Sequence, residues 1–466
     1  MEETQIEFHW RGCSRWLEKI MSRVVLFPHP GQGHITPMFQ LANILHHTMG
    51  FAISIVYTQH NGPDISRHPH FNFHLISDPV TASDSPNIPF RGNPIKRFND
   101  HCARPFKLCL DGILSSDTVR CIVTDAMLYS TQAVADELNI PRIVLRTAGV
   151  HSFVLYAAVP LLHQTGYLTN MEARAEEVIP EFPPIKLKDI PLFGDNDTNG
   201  KVETFSNIFT ETKKCSALIF NTFEELESPD LAKLRRQLDM PVFAIGPFNK
   251  RFSAAETSML KEDRSSIDWL DTQALESVLY VSFGSIAAMD KTTFLEVAWG
   301  LANSGQPFLW VIRPGSINGA ASAASEMLPG EWAEEVSGRS CVVEWAPQEK
   351  VLAHSAVGGF WTHSGWNSTM ESICEGVPMM CAPYFADQMI NARWVSEVLR
   401  IAINLERVFT RRDVEEGIRR LMTTAEGAEM RRRVAALKET AAACLGSGGS
   451  SYEALEGLSM FIMELG

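Results

Sequence analysis

The sequence predicts an α/β protein made of two doubly wound parallel-sheet domains, Rossmann-like in pattern, and three observations support this. At 466 residues the chain is too long for one ordinary domain and suits two of roughly 200–250 residues, each with a full core. Short β-branched and apolar runs alternate with helical periodicity, and they do so in two successive series. Between the series lies 246–264, polar and aperiodic, the natural linker.

In the first series, 23–28 (RVVLFP) reads as a buried strand, HPGQGH follows, and 35–49 carries apolar residues at helical spacing. Strands are expected at 51–58 and 71–76, then a Pro-, Asn- and Asp-rich loop at 78–93 and a helix at 95–114. Strand 119–124, helix 129–138, strand 142–146 and the apolar helix 150–164 come next. Residues 171–199 are Pro-rich and irregular, and strands at 217–221 and 242–245 close this half. The second series has strands at 278–283, 307–312, 340–344, 357–362 and 378–381, with helices between; 316–325 reads as a low-complexity, mobile surface loop. The tail holds an Ala-rich helix at 430–444, a GSGGSS hinge and a last helix. That helix places Tyr452, Leu455, Leu458, Phe461, Ile462 and Leu465 on one face, which needs a surface to dock on. The expected divisions are an extension at 1–22, domains at 23–245 and 265–449, and a last helix at 450–466.

Composition narrows the function. Hydrophobic residues at 45% and charged residues at 21% are those of an ordinary soluble globular protein. A net charge of −14 argues against nucleic-acid binding or attraction to anionic membranes. Any phosphate ligand must therefore be held by local N–H groups and helix ends. Nine cysteines are scattered without a CxxC pair, and Cys121, Cys341 and Cys381 lie in apolar strand runs. They read as reduced core thiols, with no disulfide framework and no metal site expected. Residues 1–22 lack the apolar run of a signal peptide, with Met21 an alternative start, and 150–162, broken by His151, Ser152 and Pro160, is too short for a bilayer. A cytoplasmic monomer is the expectation.

The chemistry concentrates in 345–388, WAPQEKVLAHSAVGGFWTHSGWNSTMESICEGVPMMCAPYFADQ. A strand (VGGFWT), a small-residue turn and a helix start make an anion site from free N–H groups, Asn and Ser. A planar aromatic (Trp345), a phosphate cradle (His363, Asn367, Ser368), a carboxylate (Glu371) and a polyol-binding pair (Asp387, Gln388) suit a nucleotide sugar. Ligands of parallel sheets bind at the carboxyl ends of strands. His34, Asp125 and Thr147 follow predicted strands in the first half, and Ser285, Trp345, His363 and Asp387-Gln388 do so in the second.

The opening WAPQ, central HSGWNS, downstream Glu and closing DQ resemble, at matching spacing, the signature box of plant family 1 UDP-dependent glycosyltransferases. The resemblance implies the GT-B architecture, two such domains facing across a cleft, with the last helix, 450–466, returning to pack on the first domain. It implies His34 as general base, a residue that alone would read as a structural helix-start histidine, and Asp125 as the carboxylate holding its other ring nitrogen. It further implies that His363, Asn367, Ser368 and Ser285 stabilise UDP without metal, that Trp345 stacks on uracil with Gln348 at its edge, and that Glu371 accepts from the ribose. Asp387 and Gln388 would read the sugar, and Thr147 would touch it too. Gln388 resembles glucose users, and Trp366, where glucuronosyl enzymes tend to carry Arg, points to a neutral hexose.

Other motifs read plainly. Asp195-Asn196-Asp197 matches a DxD metal motif only superficially and reads as loop, and GQG at 31–33 is not a dinucleotide fingerprint. His151 lines an acceptor pocket or packs, and Arg431-Arg432-Arg433 is a solvated helix face. The expectation is an inverting UDP-glucosyltransferase with UDP-glucose as co-substrate and no other cofactor. Its acceptor would be a small lipophilic plant metabolite such as a phenolic, benzoxazinoid or terpenoid. Another UDP-sugar, a nitrogen or sulfur acceptor, or a UDP-sugar-binding module without turnover are the alternatives.

Overall fold

The computed structural model describes residues 22–59, 62–77, 93–194, 197–253, 262–318, 327–406 and 408–465. Expectations for 1–21, 78–92, Asp195, Asn196, 254–261 of the linker and 319–325 of the low-complexity stretch lie outside the described residues.

The first sheet has seven strands: β1 (Arg23–Phe27), β2 (Ala52–Thr58), β3 (Asn72–Ile76), β4 (Val119–Asp125), β5 (Arg142–Arg146), β6 (Ala217–Phe220) and β7 (Val242–Ala244). They lie in the order β3-β2-β1-β4-β5-β6-β7, and every pairing is parallel. Both faces are covered, which is why β1 reads as an unbroken apolar run. Val24 and Leu26 join one core, and Val25 and Phe27 join the other. The helices of this part are α1 (Gln32–Asn43), α2 (Pro94–Leu114), α3 (Thr131–Leu138), α4 (Val150–Gln164), α5 (Thr198–Thr212) and α6 (Glu224–Gln237). α1 starts three residues earlier than the apolar spacing suggests, and its continuation Ile44–Thr48 is a π-turn. α5 and α6 were not legible, since α6 contains Pro229 and a kink at Glu227 that break its period.

The second sheet runs β10-β9-β8-β11-β12-β13, again all parallel: β8 (Val278–Ser282), β9 (Phe308–Val311), β10 (Ser340–Val343), β11 (Val357–Thr362), β12 (Met379–Cys381) and β13 (Ala402–Asn404). Its helices are α7 (Ser265–Leu270), α8 (Lys291–Ser304), α9 (Gly330–Glu335), α10 (Gln348–Leu352), α11 (Trp366–Glu375), α12 (Gln388–Arg393), α13 (Arg411–Thr423) and α14 (Ala425–Leu445), followed by the last helix α15 (Ser450–Glu464). The expected mobile loop 316–325 does not begin at Ser316: Ile317 is buried in the core and bridges Met289, and 319–325 lie outside the described residues.

The chain forms two compact units. One comprises the described parts of Met1–Tyr167, Asn196–Met259 and Cys444–Gly466; the other comprises those of Leu168–Asp195 and Leu260–Ala443. The irregular segment from Leu168 therefore groups with the second sheet, although it lies in the first half of the chain. α15 belongs to the first unit, where Leu455, Leu458 and Ile462 join the core around Val24 and Leu26. Among the described residues no helix is long and apolar enough to cross a membrane.

Candidate active site

In the first unit the strand order reverses between β1 and β4, the position where open parallel sheets bind ligands. His34 follows β1, and Asp125 ends β4. Gly31, extended at φ −99° and ψ 141°, starts α1 and sets His34 in its first turn, the His34 amide donating to the Gly31 carbonyl at 2.9 Å. His34 Nδ1 lies 2.7 Å from Asp125 Oδ2 and 3.0 Å from Thr147 Oγ1. A carboxylate only accepts, so the ring proton belongs on Nδ1 and Nε2 keeps its lone pair. The other Asp125 oxygen accepts from the Met127 amide at 2.8 Å. Burial works against the Asp125 charge, yet the His34 charge and hydrogen bond, with His29 and the Met127 amide, hold the carboxyl below its ordinary range. The His34 side chain is 25% exposed and that of Asp125 1%, so a solvent-reachable imidazole rests on a hidden carboxylate.

Thr147, expected against the sugar, places its hydroxyl on His34. His151 is anchored by Glu227: its amide donates to Glu227 Oε1 at 3.0 Å and its Nδ1 lies 2.6 Å from the same oxygen, with both side chains buried. Asp197 caps α5 by accepting from the Gly200 amide.

In the second unit the order reverses between β8 and β11. β11 delivers the turn His363-Ser364-Gly365 to the start of α11, with Ser364 at φ +63°. The His363 ring is wedged between two glycines. A Cβ on Gly284 would lie 2.6 Å from it and one on Gly365 2.5 Å, so only glycine fits either position. Arg313 braces the turn bearing Ser285, with Nε donating to the Gly284 carbonyl at 3.1 Å and Nη2 to the Ala287 carbonyl. Burial, and then the Arg313 charge, push the His363 imidazole down to about 4, so it is neutral at pH 7. Its Nδ1 is buried and has no hydrogen-bond partner among the described residues. A buried, unpaired ring nitrogen of that kind, at a helix start carrying Asn367 and Ser368, fits a phosphate oxygen in the tautomer that puts the ring proton on Nδ1.

Trp345 is partly exposed two residues beyond β10. Gln348 Nε2 donates to Ser368 Oγ (2.8 Å) and Glu371 Oε2 (2.6 Å), while its oxygen accepts from the Tyr280 hydroxyl at 3.2 Å. Burial, and next the Glu349 charge, push the Glu371 carboxyl up to about 8 despite the Gln348 hydrogen bond. Trp366 is buried against Trp394, which leaves its backbone as the part a ligand can use. At the start of α12, Asp387 Oδ2 accepts from Asn391 Nδ2 at 2.9 Å. Gln388 Oε1 accepts from the Tyr384 and Phe385 amides, so its NH₂ is what remains for a hydroxyl.

Residues 185–433, more than half of the chain, match the profile of the family described as UDP-glucoronosyl and UDP-glucosyl transferase. The chain belongs to this family. UDP-glycosyltransferase 76B1 of Arabidopsis thaliana is 43% identical over 441 residues, covering 94% of this chain and 98% of that protein. UDP-glycosyltransferase 76G1 of Stevia rebaudiana is 42% identical over 454 residues, covering 95% and 97%. Among solved structures, Phytolacca americana UGT2 complexed with UDP-2fluoro-glucose and pterostilbene matches with a TM-score of 0.81 at 26% identity, covering 95% of this chain and 100% of that one. A UDP-glucose: anthocyanidin 3-O-glucosyltransferase in complex with UDP matches with a TM-score of 0.81 at 26% identity, covering 96% and 99%. The chain is thus a UDP-glycosyltransferase with the GT-B fold.

Three side chains of this glycosyltransferase escaped the sequence reading. Arg313 ends an apolar strand run, Tyr280 holds Gln348, and Asn391 Nδ2 bridges the Ser364 carbonyl (3.0 Å) and Asp387. Only the i, i+4 spacing of Asp387 and Asn391 was a readable signal.

Proposed function

We propose that this glycosyltransferase moves glucose from UDP-glucose to a hydroxyl of a small lipophilic metabolite, such as a phenolic, benzoxazinoid or terpenoid, with inversion. The carrying observation is the 2.7 Å contact of His34 Nδ1 with buried Asp125, which leaves Nε2 free to accept a proton. In the proposed step Nε2 takes the acceptor hydroxyl proton as the oxygen bonds to the anomeric carbon. The bond from that carbon to UDP breaks with its electron pair leaving on the diphosphate, and Asp125 balances the imidazolium. Neutral His363, the α11 N-terminus and the Ser285 turn would meet the charge on the leaving group, so no step is assigned to a metal. Trp345 would stack on uracil, Glu371 would take the ribose hydroxyls, and Asp387 with the Gln388 NH₂ would hold the hexose. An α-linked donor would yield a β-glucoside. The relatives support this reading, since a related structure carries a fluoro-glucose donor and pterostilbene.

The test is product formation from UDP-glucose with a panel of hydroxylated aromatics and terpenoids, in the presence of chelator. His34→Ala and Asp125→Asn should each lower kcat by about 10²–10⁴-fold, the usual worth of a general base, with UDP affinity unchanged. Equal turnover by His34→Ala would make the histidine structural. Turnover with only a different UDP-sugar, or only with nitrogen or sulfur acceptors, would redefine the substrates. Tight UDP binding with no turnover across donors and acceptors would indicate a binding module.

A further inference from the structure

Residues 168–194 form an internally closed loop. Ile179 and Ile185 pair backbone to backbone at 2.8 Å, the Leu187 amide donates to the Glu177 carbonyl at 2.9 Å, and Lys188 to that of Ala175 at 3.1 Å. Ile179, Leu187 and Ile190 are fully buried. This loop leaves the first unit directly after α4 and returns to it at α5, yet it groups with the second unit.

One side chain grips it. Arg393, the last residue of α12, donates Nε and Nη2 to the two Asp189 oxygens at 2.9 and 3.1 Å, a planar two-pronged contact with both side chains nearly buried. Asp189 Oδ2 also accepts from the Lys186 amide at 2.9 Å. Arg393 reaches Glu397 at 2.8 Å and Glu406 at 3.2 Å. Glu406 also receives Lys188 Nζ at 2.6 Å, and Lys188 and Lys186 both bind Glu176. Three cations and four carboxylates thus tie the loop to α12 and to the chain after β13. Glu406 sits at φ +61°, a left-handed conformation that its two cation partners hold in place.

The other end of α12 carries Asp387 and Gln388. Between the ends stands Asn391, tied to both Asp387 and the Ser364 carbonyl of the phosphate turn. The six-residue helix therefore has a sugar-reading end and a loop-gripping end, one and a half turns apart.

We propose that Arg393 is a positioning residue for donor binding, clamping residues 168–194 to the helix whose first turn presents Asp387 and Gln388. The donor role of that pair rests on the function proposed above. The clamp makes the loop travel with the donor site and fixes the azimuth of α12, so the hexose contacts depend on it. Contacts to uracil, ribose and diphosphate come from other elements; α12 meets the phosphate turn through Asn391, which also holds Asp387 at the sugar-reading end, so those contacts depend on the clamp far less.

The test uses the full chain with Arg393→Lys, which keeps the charge but loses the fork, and Asp189→Asn, which alters the clamp from the loop side. Hydrogen exchange should speed up at least tenfold in 168–194 in both variants, and rise together in 384–392. The KM for UDP-glucose should rise about tenfold while the UDP dissociation constant stays within about twofold, because UDP lacks the sugar. Unchanged exchange in 168–194 in a folded variant overturns the proposal. So does a released loop with unchanged KM, or a UDP affinity that weakens in step with it. If the wild type fails to use UDP-glucose, the proposed function falls, while the exchange measurement still decides the clamp.

Discussion

Glu371 is a carboxyl that burial keeps protonated, pushed up to about 8 in the unliganded protein. Ribose hydroxyls donating to it would favour the carboxylate, so UDP binding should release a proton near neutral pH. Affinity for UDP should therefore rise as pH climbs from about 6 to 8. The sign for folding is opposite: a raised carboxyl pKa stabilises the empty protein at low pH, and that stability fades as pH rises from the ordinary carboxylate range through about 8. His363 acts in another window. Its imidazole is depressed to about 4, so its stabilisation is complete above the ordinary histidine range and is lost as pH falls through about 4. Calorimetric titration of UDP at pH 7.5 in buffers of differing ionisation enthalpy measures the proton count. Glu371→Gln should abolish the release and weaken UDP by about 1.5–3 kcal/mol, the worth of a hydrogen bond to a charged group. Proton uptake at that pH would refute the assignment.

At the scale of elements, the strand-turn-helix from Val357 to Glu375 works because two glycines let the backbone close on the His363 ring. Gly284 lies at φ +75°, so an added Cβ meets both the ring and a left-handed backbone. Gly284→Ala should cost about 2–4 kcal/mol from strain and overpacking, and weaken UDP binding with it. Gly112→Ala is the control. It sits inside α2 with nothing within 4 Å of its Cβ position and should gain about 0.5–1 kcal/mol. Thermal melts with and without UDP check both, and equal melts for the two variants would defeat the argument. This element was legible in the sequence because a buried run, a small-residue turn and a helix start follow one another at fixed spacing. Its supports were not: Arg313 reaches back to Gly284 and Ala287 from the next strand, and Arg393 finds Asp189 across 204 positions. α5 was hidden as well, its polar threonine-rich sequence lacking a clear apolar stripe; only Asp197 marked its start. Local pattern encodes elements, while long-range polar partners depend on the finished fold.

Over the whole molecule, the two units are not the two halves of the chain, since the last helix belongs with the first sheet. Most of the apolar face legible in 452–465 packs there: Leu455, Leu458 and Ile462 are buried in one core with Val24, Leu26, Cys121 and Ile245, Phe461 and Leu465 pack partly buried against it, and Ser451 Oγ donates to the Gly246 carbonyl at 2.5 Å. The helix therefore completes the core to which Val24 and Leu26 of β1 and Cys121 and Val123 of β4 belong; Asp125 ends β4, and His34 follows β1 in α1. Truncating its central anchor tests this. Leu458→Ala should cost about 2–5 kcal/mol, by lost transfer energy plus the cavity left behind. That loss belongs to the first unit, whereas UDP at about 100 times its dissociation constant should add about 2.7 kcal/mol to the unit holding the donor residues. Scanning calorimetry should then show Leu458→Ala lowering the melting of the first unit, and UDP raising that of the second by the same amount in mutant and wild type. If the mutation abolished the UDP shift, the last helix would be part of the donor site and not a member of the first core.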